Sequence, residues 1–275
     1  MSSPSDTAAA RPGPTSGPVT RTGRVLRCAV SSAARHGTLD FDQLRAVNAA
    51  LRALEPDVGA VLLTGEGPHF CVGADVGALA ATGSETADAG PAVRALAGEL
   101  HEFVRALVEV PVPVVAAVRG WAAGAGMSLV VAADIAVAGV STRLRPAYPA
   151  IGLTPDGGLT WTLPRAVGAA RARHILLTDR VLDAAEALAW GLVATVVPDD
   201  EVSAQALELA QRLADGPTGA LGRTKRLLRA QDRGLAAQLD AEADAIAESA
   251  AGAEGREGIA AFRERRPPRF RPTPT

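Results

Sequence analysis

The sequence predicts an α/β domain followed by a helical C-terminal region, on three observations. Short runs of Val, Ala and Leu recur between Val25 and Val197. Segments with apolar residues at helical spacing lie between them, and after Pro198 the strand-like runs stop while helical spacing continues to Arg266. Strands that alternate with helices indicate an α/β architecture. The 275 residues suffice for one sizeable domain. Hydrophobic residues make up 48% and aromatic residues 3%, so the core is expected to consist of Ala, Val and Leu, which allow helices to lie close to a sheet.

Taken in order, the N-terminal stretch is rich in Ser, Pro, Thr and Ala and lacks the apolar segment of a signal peptide. Residues 1–23 therefore read as a disordered leader. Val25–Val30 reads as a strand, and Phe41–Leu54 as a helix capped by Asp40. Gly59–Gly65 is a buried strand by its continuous apolar run. Ala81–Pro91 is small, polar and long for a connection, as expected of a mobile segment or a pocket cover. Ala92–Val110 has helical spacing. Val112–Val118 is a strand, and Pro111 and Pro113 place its start near a sheet edge or entry. A helix through "GMSLVVAA" precedes a strand at Asp134–Gly139, and Gly191–Val197 completes the core at 24–198. Residues 199–275 form the helical region and a basic tail, with a break at Gly252–Gly255. Its Ala-rich helices bury a narrow stripe and suit packing on another subunit.

Composition excludes several functions. A net charge of −2 offers no nucleic-acid surface. Cys28 and Cys71 provide no disulfide framework and fit a reducing, cytoplasmic setting. His36, His69, His101 and His174 are scattered without metal-ligand spacing, so no metal is expected. The longest uncharged apolar run, between Arg119 and Asp134, is shorter than the ~20 residues a bilayer requires.

Chemistry is expected at two glycine-containing turns of the same form. "FCVGAD" (Phe70–Asp75) follows one predicted strand and "GWAAGAG" (Gly120–Gly126) another, each at a strand's C-terminal end and leading into helix. Ligands of α/β sheets bind at such ends, and helix N-termini present unpaired N–H groups. Two such groups converging on one carbonyl oxygen would form an oxyanion hole. Small residues there let the carbonyl approach. Neither turn is a G-x-G-x-x-G, so a dinucleotide site is a poor reading.

With these turns in place, the chain resembles the crotonase, or enoyl-CoA hydratase/isomerase, superfamily. "TGEGPHFCVGAD" and "AAVRGWAAGAGMSLVVAADIAVA" resemble its two oxyanion segments. The stretch from "IGLTPDGG" to "LVATVVP" and the ending "EGIAAFRERRPPRF" are also similar to it, so the likeness runs from about Arg24 to Phe270. The resemblance implies a spiral of repeated ββα units and acyl-CoA thioester substrates, with coenzyme A arriving as part of the substrate and no separate cofactor. It implies that the N–H groups of Ala74 and Ala125 bind the thioester oxygen, and that homotrimers or dimers of trimers form. It places adenine near Val72 and Val76, and the CoA phosphates near Arg265 of this or a neighbouring subunit.

The same resemblance marks departures. Family hydratases use two glutamates, whose positions are occupied here by Ser128 and Tyr148. A serine hydroxyl and a phenol with a pKa of ~10 are poor bases near neutral pH, so two-glutamate hydration is not expected. Asp156 remains, in "GLTPDGG". Pro-Asp-Gly on its own is a turn or helix-cap signature. The likeness to an isomerase and dehalogenase subgroup implies instead an aspartate projecting into the pocket as base or nucleophile. That likeness makes Tyr148, eight positions earlier, a pocket-lining aromatic. Ser128 is expected to line the pocket or bond its own helix. It is not in a G-x-S-x-G elbow. Asp75 reads as a cap or loop brace, and Glu66 and His69 as solvent-facing. The expected activity is double-bond migration through an enolate, with Asp156 moving the proton. Hydration of an unusual enoyl-CoA, dehalogenation, and a non-catalytic acyl-CoA-binding role are the alternatives.

Overall fold

A computed structural model of the chain describes residues 17–75, 89–230 and 234–270. The strands are β1 (Val19–Thr22), β2 (Val25–Ser31), β3 (Ala60–Gly65), β4 (Val114–Val118), β5 (Trp121–Ala123), β6 (Ile135–Gly139), β7 (Arg143–Arg145), β8 (Leu182–Asp183) and β9 (Thr195–Val197). The helices are α1 (Phe41–Arg52), α2 (Ala89–Glu109), α3 (Ala125–Ala132), α4 (Leu159–Val167), α5 (Ala169–Thr178), α6 (Ala184–Ala189), α7 (Val202–Asp215), α8 (Thr218–Arg229), α9 (Leu235–Ala251) and α10 (Ala253–Glu264).

The main sheet has six strands in the order β1-β2-β3-β4-β6-β9. All neighbours are parallel except β1, which pairs antiparallel with β2. Every residue of β4 is buried, which is why "VVAAV" is apolar without alternation: a parallel strand covered on both faces has no polar side. One face carries α1, whose Leu44, Val47 and Leu51 point inward. Asp40 begins that helix by accepting from the N–H groups of Asp42 and Gln43. The other face carries α7, where Val202, Ala206, Ala210 and Ala214 recur every four residues. They pack on Val25, Ala60, Leu62, Val115, Ala117 and Val137. Alanine on that stripe brings the helix close, as the composition requires.

Four expectations are corrected. Residues 17–23 are not part of a disordered leader: β1 is built into the sheet edge, because its backbone pairs with β2 across a two-residue turn at Gly23 and Arg24. Pro111 and Pro113 mark the entry of a strand and not an edge. β4 lies between β3 and β6, and the prolines precede its first paired residue, where no ladder N–H is needed. The last core strand spans only Thr195–Val197. Nor is the helical region separate from the core at Pro198, since α7 closes the second face of the sheet. The small sheet β5-β7-β8 was not expected. Its strands have three, three and two residues, too few for alternation to register.

Helix α8 is tied to the core by one buried cation. The Lys225 ammonium donates to the carbonyls of Leu107 and Val112 at 3.0 and 3.1 Å. It also pairs with Asp134 at 2.8 Å, whose carboxylate accepts the Val114 N–H at 2.8 Å. Beyond it, α9 and α10 leave Leu235, Leu239, Ile246, Ile259 and Phe262 exposed. Among the described residues no helix is long and apolar enough to cross a membrane.

Candidate active site

The chain leaves β3 at Gly65 and β4 at Val118, neighbours in the sheet, so the two turns begin side by side at the strands' C-terminal ends. They are then laced together. The Cys71 N–H donates to the Trp121 carbonyl at 3.2 Å, and the Ala123 N–H to the Cys71 carbonyl at 2.9 Å. A Cβ on Gly126 would stand 2.1 Å from that same Cys71 oxygen, so only glycine lets α3 begin against the first turn. Gly73 and Gly124 have φ of +94° and +55°, the region that L side chains avoid. A Cβ on Gly124 would be 3.6 Å from the Gly73 Cα, so the backbones touch there.

The residue after each of these glycines is Ala74 or Ala125. Ala125 is the first residue of α3, where an N–H has no partner within the helix. No described group accepts from the amide of Ala74 or of Ala125. Both alanines line one cavity of about 300 Å³, together with Val72, Tyr148 and Asp156. The remaining wall is largely apolar and includes Leu39, Phe41, Leu96 and Leu100 from the start and flank of α1 and from α2. Unpartnered amides beside a largely apolar cavity are donors of the kind that stabilise charge on a carbonyl oxygen.

Asp156 is the one carboxylate lining this cavity among the described residues. Its Oδ1 accepts the Tyr148 hydroxyl at 2.6 Å. Burial, and secondarily the Asp156 charge, push the Tyr148 phenol above its ordinary value, so it stays protonated and donating. No described group donates to Oδ2 of Asp156. Tyr148 sits in a 3₁₀ turn over Pro149–Ile151, and Asp156 in the loop before α4.

Of the two expectations for Ser128, the bond to its own helix holds, its hydroxyl reaching the Gly124 carbonyl at 3.4 Å, while the cavity lining does not include it. Ser128 is fully buried and its hydroxyl donates to the Asp156 carbonyl at 3.0 Å, behind the cavity wall. A glutamate at this position would have to displace that loop. Beside it the Gly157 N–H donates to His101 Nε2 at 3.3 Å, a contact across 56 residues that sequence alone did not suggest. Glu66 and His69 are half-buried rather than solvent-facing, because His69 Nδ1 accepts the Trp121 N–H at 3.3 Å and so belongs to the turn. Asp75 is exposed. Arg265 closes α10 in a left-handed conformation, exposed and away from the cavity lining. Val76 and most of Ala81–Pro91 lie outside the described residues, and among the described residues no His, Cys, Asp and Glu cluster could hold a metal. The helix expected after the first turn also falls outside them.

The sequence model described as Enoyl-CoA hydratase/isomerase matches residues 30–273. The chain is 40% identical over 225 residues to a Rhodobacter capsulatus protein named "Probable enoyl-CoA hydratase", covering 82% of this chain and 85% of that one. It is 38% identical over 224 residues to the 1,2-epoxyphenylacetyl-CoA isomerase of Escherichia coli, covering 80% and 84%. Among solved structures, an enoyl-CoA hydratase from Polaromonas sp. JS666 superposes with a TM-score of 0.85 at 32% identity, covering 91% of this chain and 98% of that chain.

Proposed function

The chain belongs to the enoyl-CoA hydratase/isomerase family, whose enzymes act on acyl-CoA, and from that premise we propose that it shifts a double bond in an acyl-CoA by proton transfer through an enolate. The observation that carries this reading is the pairing of the two free amides with a single tyrosine-held carboxylate in one cavity. The thioester oxygen accepts from the Ala74 and Ala125 N–H groups, which stabilises negative charge as the adjacent carbon loses its proton. Oδ2 of Asp156 takes that proton and returns it at a second carbon. Tyr148 holds Oδ1 and thereby the orientation of the other oxygen. One carboxylate suffices for such a shuttle, whereas syn addition of water draws on two groups.

The substrate carries its own coenzyme A, and this chemistry calls for no other cofactor. Val72, on the cavity wall, together with Val76, supplies main chain for the adenine, and Arg265 meets the phosphates from this or a neighbouring subunit. The exposed apolar residues of α9 and α10 support assembly as a homotrimer or a dimer of trimers. The cytoplasm, with its soluble acyl-CoA pool, is the setting this chemistry suits.

Hydration is the second reading, favoured by the name of the Rhodobacter relative. A panel of 2-enoyl- and 3-enoyl-CoA esters incubated in heavy-oxygen water separates the two. Isomerisation leaves the mass unchanged and, in deuterium oxide, inserts deuterium. Hydration adds labelled oxygen. A panel with neither outcome would reject both.

A further inference from the structure

Asp179 lies at the end of α5, far from the cavity in sequence, yet its carboxylate reaches the segment that carries Tyr148. Its Oδ1 accepts the Ala147 N–H at 2.7 Å. Its Oδ2 accepts from Arg145, whose Nε is 3.0 Å away. The carboxylate is well shielded, with 14% of the side chain exposed, so solvent does not readily replace it. Ala147 has φ of +66°, a conformation in which the alanine Cβ is crowded and which needs outside support to persist. Pro146 on its other side has no N–H to offer. The support for Ala147 is therefore Asp179, fixed in turn by Arg145. The next residue is Tyr148, whose phenol meets Asp156.

We propose that Asp179 is a positioning residue for the reaction: it holds Ala147 in its left-handed conformation and so aims the Tyr148 hydroxyl at Asp156. This rests on the assignment of Asp156 as the proton-transfer group, but its spectroscopic test does not. Two consecutive links join Asp179 to the carboxylate, one through main chain and one through the phenol. An ion pair that served stability alone would have no need to bind the amide beside Tyr148. Strain retained next to reacting groups is a recurrent feature of active sites.

The chain has one tyrosine, so 3-fluorotyrosine incorporation labels position 148 uniquely. Its fluorine resonance, followed against pH, reports the ionisation of that phenol, with free 3-fluorotyrosine as reference. In the unsubstituted protein the label is expected to ionise above the reference, and in Asp156→Asn less far above it, since burial remains when the charge is gone. Asp179→Asn is expected to move the titration toward the reference, and Ala147→Gly combined with Asp179→Asn to move it back, since glycine accepts positive φ without support. Arg145→Met, which keeps the carboxylate but frees it, should shift the titration the same way by less, and it serves if Asp179→Asn does not fold. Exchange of the butyryl-CoA α-protons in deuterium oxide supplies the second readout: about a ten-fold fall in kcat for Asp179→Asn with KM held within about two-fold, the signature of misplacement rather than lost binding. An unchanged fluorine titration in Asp179→Asn and Arg145→Met would overturn the proposal. Absence of exchange in the unsubstituted protein, with the fluorine shifts as expected, would overturn the role of Asp156 and leave the positioning intact.

Discussion

The Tyr148 hydroxyl donates to Oδ1 of Asp156 at 2.6 Å across eight residues of chain. Two residues that the sequence presented separately, one as a wall and the other as a base, thus form a single unit. A phenol pushed above its ordinary value by burial stays protonated beside the carboxylate. It acts as a fixed donor, which leaves one carboxylate oxygen oriented and available.

Removal of either member has a distinguishable outcome. Asp156→Asn keeps the shape of the side chain but removes the base, so deuterium incorporation into the product should fall by roughly a hundred- to ten-thousand-fold, while affinity for the product CoA ester, measured calorimetrically, is retained. Tyr148→Phe should lower kcat by about ten-fold, because the base remains but its orientation is lost. Equal turnover of Asp156→Asn and the unsubstituted protein would exclude the carboxylate from the chemistry.

The proposed oxyanion donor at residue 125 can be deleted without shortening any side chain. Ala125 is the first residue of α3, a position where proline is well tolerated because its missing N–H has no helical partner. Ala125→Pro should therefore fold, give a circular dichroism spectrum like that of the parent, and lose roughly a hundred- to a thousand-fold in kcat. A folded Ala125→Pro protein with full turnover would show that charge on the thioester oxygen is stabilised elsewhere.

Much of the site was legible because it depends on local rules. Gly73 and Gly124 precede the two amides, and Asp40 caps α1 through its immediate neighbours. These follow from the preferences of single residues. The bond of Ser128 to its own helix was legible, but its second bond, to the Asp156 carbonyl 28 residues on, is decided by how α3 lies against that loop. Asp179 was missed for a related reason. Its bond to Ala147 spans 32 residues, and an aspartate before an arginine after a helix reads as an ordinary surface pair. The edge strand β1 was assigned to a leader because four residues with two facing solvent carry too weak a pattern.

The close approach of the two turns makes Gly126 a sensitive position. In Gly126→Ala the added methyl would meet the Cys71 carbonyl at 2.1 Å, and backbone on both sides prevents an easy retreat. Either α3 moves away from the first turn or the Cys71 peptide rotates, and both break the Ala123-to-Cys71 hydrogen bond. A loss of about 1–3 kcal/mol in stability is expected, as for overpacking in a tight core, with a fall in kcat larger than the rise in KM if the two amides act together as proposed. Gly98→Ala, where a Cβ meets nothing within 4 Å, serves as the control. Equal melting temperatures for the two variants would contradict the contact.

The stability of the fold should pass through a crest near pH 9, for reasons that can be traced to three buried groups. Burial lowers Lys225 from 10.5 to about 8 against the opposing pull of Asp134. Between those values the unfolded chain binds a proton that the folded chain does not, so stability rises with pH. The Lys225 contribution is fully present above 10.5 and is lost as pH falls through about 8. Burial raises Cys28 and Cys71 from 9.0 to about 12. Above 9.0 the folded chain keeps two protons that the unfolded chain releases, so stability falls with pH, and two thiols outweigh one ammonium in that range. Urea midpoints measured from about pH 7 to 11 should therefore climb and then decline. Lys225→Met should lower the whole curve, since the Leu107 and Val112 carbonyls lose their donor, and should also abolish the climb below pH 9. A climb that survives in Lys225→Met would place its origin in another group.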